Sequence, residues 1–172
     1  MSVPIPAVLD AWRMVASRRH FEGRMPLSAF RRLQESLVDA EGEVRFELDF
    51  DRDALKIAYV DLRVEAELPL ECQRSLARFL HPVRIEQRLA LIESESQEAA
   101  LPADYEPVLV GEDSAVRPLE LIEDELILAV PVMPVAPGTE AVEKDWPAVE
   151  QVEEPVAPNP FAALSVLKDK KH

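Results

Sequence analysis

Glycine, cysteine and aromatic residues are scarce in this chain, and each shortage excludes a class of site. Four glycines among 172 residues leave little backbone for a phosphate-binding loop, and neither a dinucleotide-binding fingerprint nor a nucleophile elbow is present. Cys72 is the only cysteine, which excludes an internal disulfide and a multi-thiolate metal site and suits a reducing cytoplasm. No apolar run approaches the roughly 20 residues of a membrane helix, and the first ten residues lack the basic segment of a signal peptide. We therefore expect a cytoplasmic protein with no membrane contact, no cofactor, no metal and no evident small-molecule substrate.

Basic residues are too few to balance the acidic ones. Lys and Arg number 19 against 33 Asp and Glu, which gives a formal net charge of −14. The charge is +2 over residues 1–40, −3 over 41–92, −15 over 93–157 and +2 over 158–172. A field of this sign disfavours non-specific binding to nucleic acid, and its uneven layout suggests an interaction surface. The alternative is a solvated acidic surface that only prevents aggregation.

Apolar spacing predicts one α+β domain over residues 1–134. A period near 3.6 predicts helices over residues 7–18, 27–38 and 119–130. A period of two predicts strands over residues 44–50, 55–70 and 78–92, and a short edge strand over 106–110. The short connections favour an antiparallel sheet, either flat or curled, which the two N-terminal helices and the later helix would cover.

Residues after 134 are expected to lie outside this domain. Residues 135–158 are acidic and rich in proline, which predicts a linker. A short helix is predicted over 159–172, with Asn159 as its cap and Pro160 in its first turn. Its apolar stripe, Phe161, Leu164 and Leu167, would either dock on a partner or fold back onto the domain.

Four stretches taken together resemble the YceD family of large ribosomal RNA subunit accumulation proteins. They are Leu-Glu-Cys-Gln-Arg at 70–74, Leu-Pro-Ala-Asp-Tyr-Glu-Pro at 101–107, the acidic-then-apolar run at 123–134, and Asn-Pro-Phe-Ala-Ala-Leu at 159–164 followed by Leu167 and Lys168. The resemblance implies a bacterial cytoplasmic role in the synthesis, processing or stability of 23S ribosomal RNA. It brings no catalytic residues, and family members tend to be encoded beside a small basic large-subunit protein.

Many relatives carry Cys-x-x-Cys where this chain has Cys72, with further His or Cys after the Pro-x-x-Pro segment. Here Ser75 takes the second position and Ala136-Pro137-Gly138 follows Val135. A metal at this place in relatives is therefore not expected here.

A non-enzymatic factor in large-subunit biogenesis is the first functional hypothesis, and it has two versions. In one, arginines contact 23S rRNA, since the guanidinium group matches phosphate geometry; the candidates are Arg18, Arg19, Arg31, Arg32, Arg74, Arg78, Arg84 and Arg88. In the other, which the charge layout slightly favours, acidic residues hold a basic large-subunit ribosomal protein; the candidates on the later helix are Glu120, Glu123, Asp124 and Glu125.

Two alternatives come from different functional classes. A metal-dependent RNA-processing enzyme would need the acidic residues of the 119–130 helix to converge on one point, whereas consecutive helical residues face different directions. A purely protein-binding structural module would use the C-terminal apolar stripe.

Overall fold

The computed structural model describes residues 5–139, which form a mixed α+β fold. Most of the predicted linker and the whole helix predicted from Asn159 lie outside the described residues. The regular elements are β1 (Leu9–Asp10), α1 (Ala11–Ala16), β2 (His20–Pro26), β3 (Glu43–Arg52), β4 (Ala58–Glu71), β5 (Arg78–Ile92), β6 (Glu106–Leu109), β7 (Ala115–Val116) and α2 (Pro118–Ala129). Short 3-10 turns occupy Leu27–Ala29, Leu33–Ser36 and Glu95–Ala100. No helix in this part of the chain has the length and apolar character needed to cross a membrane.

A mostly antiparallel sheet in the order β2-β3-β4-β5-β6 is the framework, and it confirms the predicted fold class. The antiparallel contacts join β2 to β3, β3 to β4 and β4 to β5. The predicted edge strand is present as β6, but it runs parallel to β5. The connection over residues 93–105, which includes a 3-10 turn, carries the chain back far enough for parallel pairing. β1 and β7 form a separate antiparallel pair.

Pro107 lies at a position of β6 where the backbone nitrogen does not face the neighbouring strand. The amide of Val110 donates to the Ile92 carbonyl at 2.8 Å. Since backbone direction alternates along a strand, residues 106, 108 and 110 face β5 and the Pro107 nitrogen faces away from it. The missing N–H therefore costs the sheet no hydrogen bond, and it leaves this edge poor in donors.

The core lies between one face of the sheet and the helical segments. Every second residue of β3 is buried, as the sequence predicts, and the same alternation runs through most of β4. Side chains of the helical segments meet this face, and Phe30, Leu33, Ile122 and Leu126 are fully buried. The apolar spacing that predicted the helices therefore identified these core residues correctly, but Val8 and Val38, which follow the same spacing, are exposed.

The helix predicted over residues 27–38 is wrong, because this segment forms two 3-10 turns instead. In an α-helix the amides of Arg32 and Leu33 would donate to carbonyls four residues earlier. They donate instead to the Glu123 carboxylate, at 2.7 and 3.2 Å. The helix predicted over 7–18 is present but shorter, since Asp10 caps it by accepting from the Arg13 amide at 2.9 Å.

Glu123, one of the acidic residues predicted to hold a basic partner, is buried and does not face solvent on α2. Its side chain is only 8% exposed. Its second carboxylate oxygen accepts from Arg32 Nε at 3.0 Å, so the group pairs with one guanidinium and two backbone amides. Arg32 Nη1 also reaches Asp124 at 2.7 Å. These contacts hold the segment between β2 and β3 against α2.

Replacing Glu123 by Gln should lower the free energy of unfolding by about 2 kcal/mol. Glutamine has the same size as glutamate but no charge. Its NH₂ group cannot accept the hydrogen bonds that the Arg32 and Leu33 groups donate to the carboxylate. The measurement is urea denaturation followed by circular dichroism. E120Q is the matched control, since Glu120 is 60% exposed and should change stability by less than about 0.5 kcal/mol. Equal stability of the two variants would contradict the structural role of Glu123.

Candidate partner-binding surfaces

The eight arginines predicted to contact RNA or a protein lie on different parts of the fold. Arg84 and Arg88 share the open face of β5, as the strand spacing predicts. Arg32 lies against α2, whose apolar side belongs to the core on the other face of the sheet. The structure therefore does not gather the predicted arginines into one patch.

Most of these arginines are paired with carboxylates inside the protein. Arg18 Nε lies 3.0 Å from Asp51, and Arg84 Nη2 lies 3.0 Å from Glu86. Arg78 Nε lies 2.6 Å from Asp39, and this hydrogen bond lowers the pKa of the Asp39 carboxyl group. Such pairing reduces the positive charge available to a phosphate backbone.

The other predicted arginines have different neighbours. The Arg19 guanidinium lies 5.6 Å from the centre of the Phe21 ring. Arg74 Nη1 donates to the Thr139 carbonyl at 2.9 Å. Arg31 is exposed and, with Arg32, lines a shallow depression beside the start of α2.

The open face of the sheet carries cross-strand pairs of opposite charge. The strand register sets Glu47 opposite Arg63, and Glu65 opposite both Arg45 and Arg84. The closest of these pairs is Arg63 Nη1 to Glu47, at 3.0 Å. Carboxylates are at least as numerous as arginines on this face, so it is not a basic platform for RNA.

Arg88 is the most tightly held of the predicted contact residues. It donates to both carboxylate oxygens of Asp61, at 2.7 and 2.8 Å. Its guanidinium lies 4.4 Å from the centre of the Tyr59 ring and 5.6 Å from that of Tyr105. Tyr105 donates to Asp53 at 2.9 Å, and burial raises the pKa of its hydroxyl group. This cluster joins β4 and β5 to the Leu-Pro-Ala-Asp-Tyr-Glu-Pro stretch.

Replacing Arg88 by Lys should lower the free energy of unfolding by about 1.5 kcal/mol, because lysine loses the two-pronged bond to Asp61 and the flat contact with Tyr59. R84K is the control on the same strand face. The Arg84 side chain is 72% exposed, so that variant should change stability by less than about 0.5 kcal/mol. Thermal and urea unfolding measure both, and a larger loss for R84K would contradict the assignment.

Cys72 lies in a turn that is held by hydrogen bonds. Leu76 donates to the Cys72 carbonyl at 2.8 Å, and the Cys72 amide donates to Ala77 at 2.9 Å. The sulfur accepts from the Ala136 amide at 3.3 Å and lies 3.5 Å from the Thr139 hydroxyl. Hydrogen bonds from Ser75, Ala136 and Thr139 lower the pKa of the thiol to about 6. The side chain is fully buried, so it is not presented as a nucleophile.

The donor set around Cys72 does not fit a structural metal ion. The four positions that converge here supply one sulfur, two hydroxyl groups and an alanine, whereas structural zinc takes four Cys or His ligands. Over residues 5–139, no group of three or more His, Cys, Asp or Glu side chains is arranged to hold a metal ion. Hydrogen bonds take the place of ligands in this turn.

Removing trace metal should leave this protein unchanged. We expect the same melting temperature with and without a strong chelator, and no rise on adding zinc, because no metal contributes to the turn at Cys72. Differential scanning calorimetry makes the comparison. A melting temperature that falls with chelator and recovers with zinc would contradict the assignment.

The four acidic candidates on α2 have different surroundings. Glu120 is exposed and lies 3.9 Å from Arg117, while Asp124 pairs with Arg32. Glu125 is half-buried, and burial raises the pKa of its carboxyl group. With Glu123 buried, these residues form neither a converging catalytic set nor a continuous exposed acidic face.

A different group of acidic residues is exposed beyond the ends of β5 and β6. We call it the acidic surface; it comprises Glu93, Glu95, Glu98, Glu112 and Asp113. Parallel pairing sets Ile92 beside Leu109, so Glu93 and the Glu112–Asp113 loop leave the sheet at the same end. Within the described residues, none of these carboxylates lies at ion-pair distance from a lysine or arginine. The net charge of residues 93–157 pointed to this region, but the sequence did not single out these side chains.

Comparison with known proteins gives the family. The family model described as large ribosomal RNA subunit accumulation protein YceD matches residues 60–168. A Haemophilus influenzae protein named "Large ribosomal RNA subunit accumulation protein YceD" is 29% identical over 174 residues, which cover 98% of each chain. No solved structure matches this chain significantly. The chain belongs to the YceD family, whose name assigns it a role in accumulation of large-subunit ribosomal RNA.

Proposed function

We infer that this protein promotes 23S ribosomal RNA accumulation without catalysis, by holding a basic large-subunit ribosomal protein on its acidic surface. The family name supplies the ribosomal role. The observation that carries the proposed mode of action is the acidic surface itself, since its five exposed carboxylates have no lysine or arginine at ion-pair distance among residues 5–139. A basic protein would be electrostatically complementary to these carboxylates. Such complementarity speeds association and gives specificity.

A protein partner fits the charges better than RNA does. Arg18, Arg32, Arg78, Arg84 and Arg88 already have carboxylate partners. The net charge of −14 repels a phosphate backbone at long range. RNA binding through these five arginines would therefore require them to exchange their present partners for phosphates against an unfavourable field.

Charge complementarity also suggests why such a partner would help RNA accumulate. A free, strongly basic protein binds RNA non-specifically, because each phosphate contact releases counterions. An acidic protein bound to the basic protein competes with those non-specific RNA contacts. It releases the basic protein when a specific RNA site binds that protein more tightly. Every step in this scheme is an exchange of binding partners, so none of them needs a catalytic residue.

Two triple substitutions that remove equal charge test this mode of action. E93Q/E95Q/E98Q removes three charges of the acidic surface, and E41Q/E43Q/E67Q removes three exposed carboxylates elsewhere on the protein. Affinities for purified basic large-subunit proteins and for 23S rRNA fragments are measured by titration at several salt concentrations. We expect protein binding that weakens as salt rises, about tenfold weaker binding for the first variant, and less than about twofold change for the second.

Three outcomes would contradict the proposal. Equal losses for both variants would show only a general effect of net charge. Tight binding to rRNA with no binding to basic proteins would favour the arginine version. RNA cleavage by the purified protein that is lost on changing one acidic side chain would favour an enzyme.

A further inference from the structure

The outer edge of β2 has no strand paired with it in the part of the chain that the structure describes. β2 is the first strand in the sheet order and pairs only with β3. It is uninterrupted from His20 to Pro26, long enough for a partner strand to pair with it. Backbone donors and acceptors on such an edge favour addition of another strand.

Hydrogen bonds at both ends of β2 establish which residues face outward. Phe50 donates to the Arg19 carbonyl at 2.9 Å, and Leu27 donates to the Gly42 carbonyl at 3.0 Å. Both contacts fall in the same antiparallel register, so the odd-numbered residues bond to β3. The N–H and C=O groups of His20, Glu22 and Arg24, and the carbonyl of Pro26, therefore face the open edge.

The side chains of β2 are self-complementary about Gly23. His20, Glu22, Arg24 and Pro26 are exposed, whereas Phe21 and Met25 are half-buried and pack against the core. An antiparallel pair centred on Gly23 sets Glu22 opposite Arg24, and Phe21 opposite Met25. A twofold axis repeats each of these pairs, as a symmetric dimer requires.

We propose that a second copy of this chain adds to the sheet through β2, with the twofold axis at Gly23. Glu22 and Arg24 of the second copy then exchange both backbone hydrogen bonds, and their side chains form an ion pair on the open face. The glycine pair falls at a non-hydrogen-bonded position, where the two backbones approach most closely. The absence of side chains there leaves room for Phe21 to meet Met25 of the second copy.

The charged residues of β2 are available for this contact. The nearest cationic group to Glu22 is His20, at 3.9 Å, and the nearest carboxylate to Arg24 is Glu43, also at 3.9 Å. The Glu22 and Arg24 side chains are 75% and 58% exposed. β6, at the opposite edge of the sheet, is less suited. It has four residues rather than seven, and Pro107 removes one of its two outward-facing donors, whereas the donor that Pro26 lacks lies at the very end of β2.

Sedimentation velocity of the full-length protein over a range of concentrations tests the proposal. The ionic strength should be physiological, where the Debye length is about 8 Å and repulsion between the acidic chains is largely screened. We expect a concentration-dependent monomer–dimer equilibrium. E22R and R24E should each weaken the dimer about tenfold or more, because each places like charges opposite one another twice.

Two combinations of these substitutions identify the contact. E22R/R24E restores opposite charges and should recover the dimer. An equimolar mixture of the E22R and R24E proteins should form a heterodimer, since each arginine then meets a glutamate. E67R is the control, because Glu67 is exposed on β4 and outside the contact, and it should leave the dimer unchanged. Circular dichroism checks that every variant is folded.

The outcomes against the proposal are equally specific. A protein that stays monomeric at all concentrations would overturn it, as would a dimer that E22R and R24E leave unchanged. Hydrogen exchange adds a second readout. Amides of Glu22 and Arg24 that are protected in a monomer at every dilution would show that the chain's own residues cover the edge, which also overturns the proposal.

Discussion

Alternation of apolar and charged side chains along three consecutive long strands is the constraint on which this structure depends. Because side chains in a strand point alternately to opposite faces, β3, β4 and much of β5 bury one set of residues and expose the other. A slip of one residue in β3 would move Phe46 and Leu48 into water and Arg45 and Glu47 into the core. The register is therefore strongly specified, and with it the charge pairs on the open face.

The strand register determines which charged side chains are paired within the protein and which are left exposed without a partner. The arginines of the open face meet carboxylates on neighbouring strands, and Arg32 and Arg78 are paired at the edges of the covered side. Basic residues are thus largely used in holding the fold together. Among residues 5–139, the exposed carboxylates that follow β5 and β6 have no lysine or arginine at ion-pair distance, so an acidic surface remains. This is why the proposed partner is a basic protein.

Features that depend on local spacing could be predicted from the sequence. β3 and α2 follow from apolar periods, and Pro107 marks an edge strand because proline cannot donate a hydrogen bond. Contacts between distant segments could not be predicted. The Glu123 carboxylate accepts hydrogen bonds from the amides of Arg32 and Leu33, which lie 90 or more residues earlier in the chain. Because local spacing does not reveal this contact, it predicted a helix where two 3-10 turns form. The pairing of Arg88 with Asp61, Tyr59 and Tyr105 depends on strand register in the same way. The parallel direction of β6 depends on the path of its connection, which composition does not encode.

Site-specific photo-crosslinking in living cells tests the central claim most directly. A photoreactive amino acid replaces Glu95 in the acidic surface, or Glu67 as a control on the open face of the sheet, and the crosslinked molecules are identified by mass spectrometry and RNA sequencing. The account predicts a basic large-subunit ribosomal protein crosslinked from position 95 and absent or much weaker from position 67. Crosslinks from both positions to 23S ribosomal RNA, with no protein captured at position 95, would contradict it.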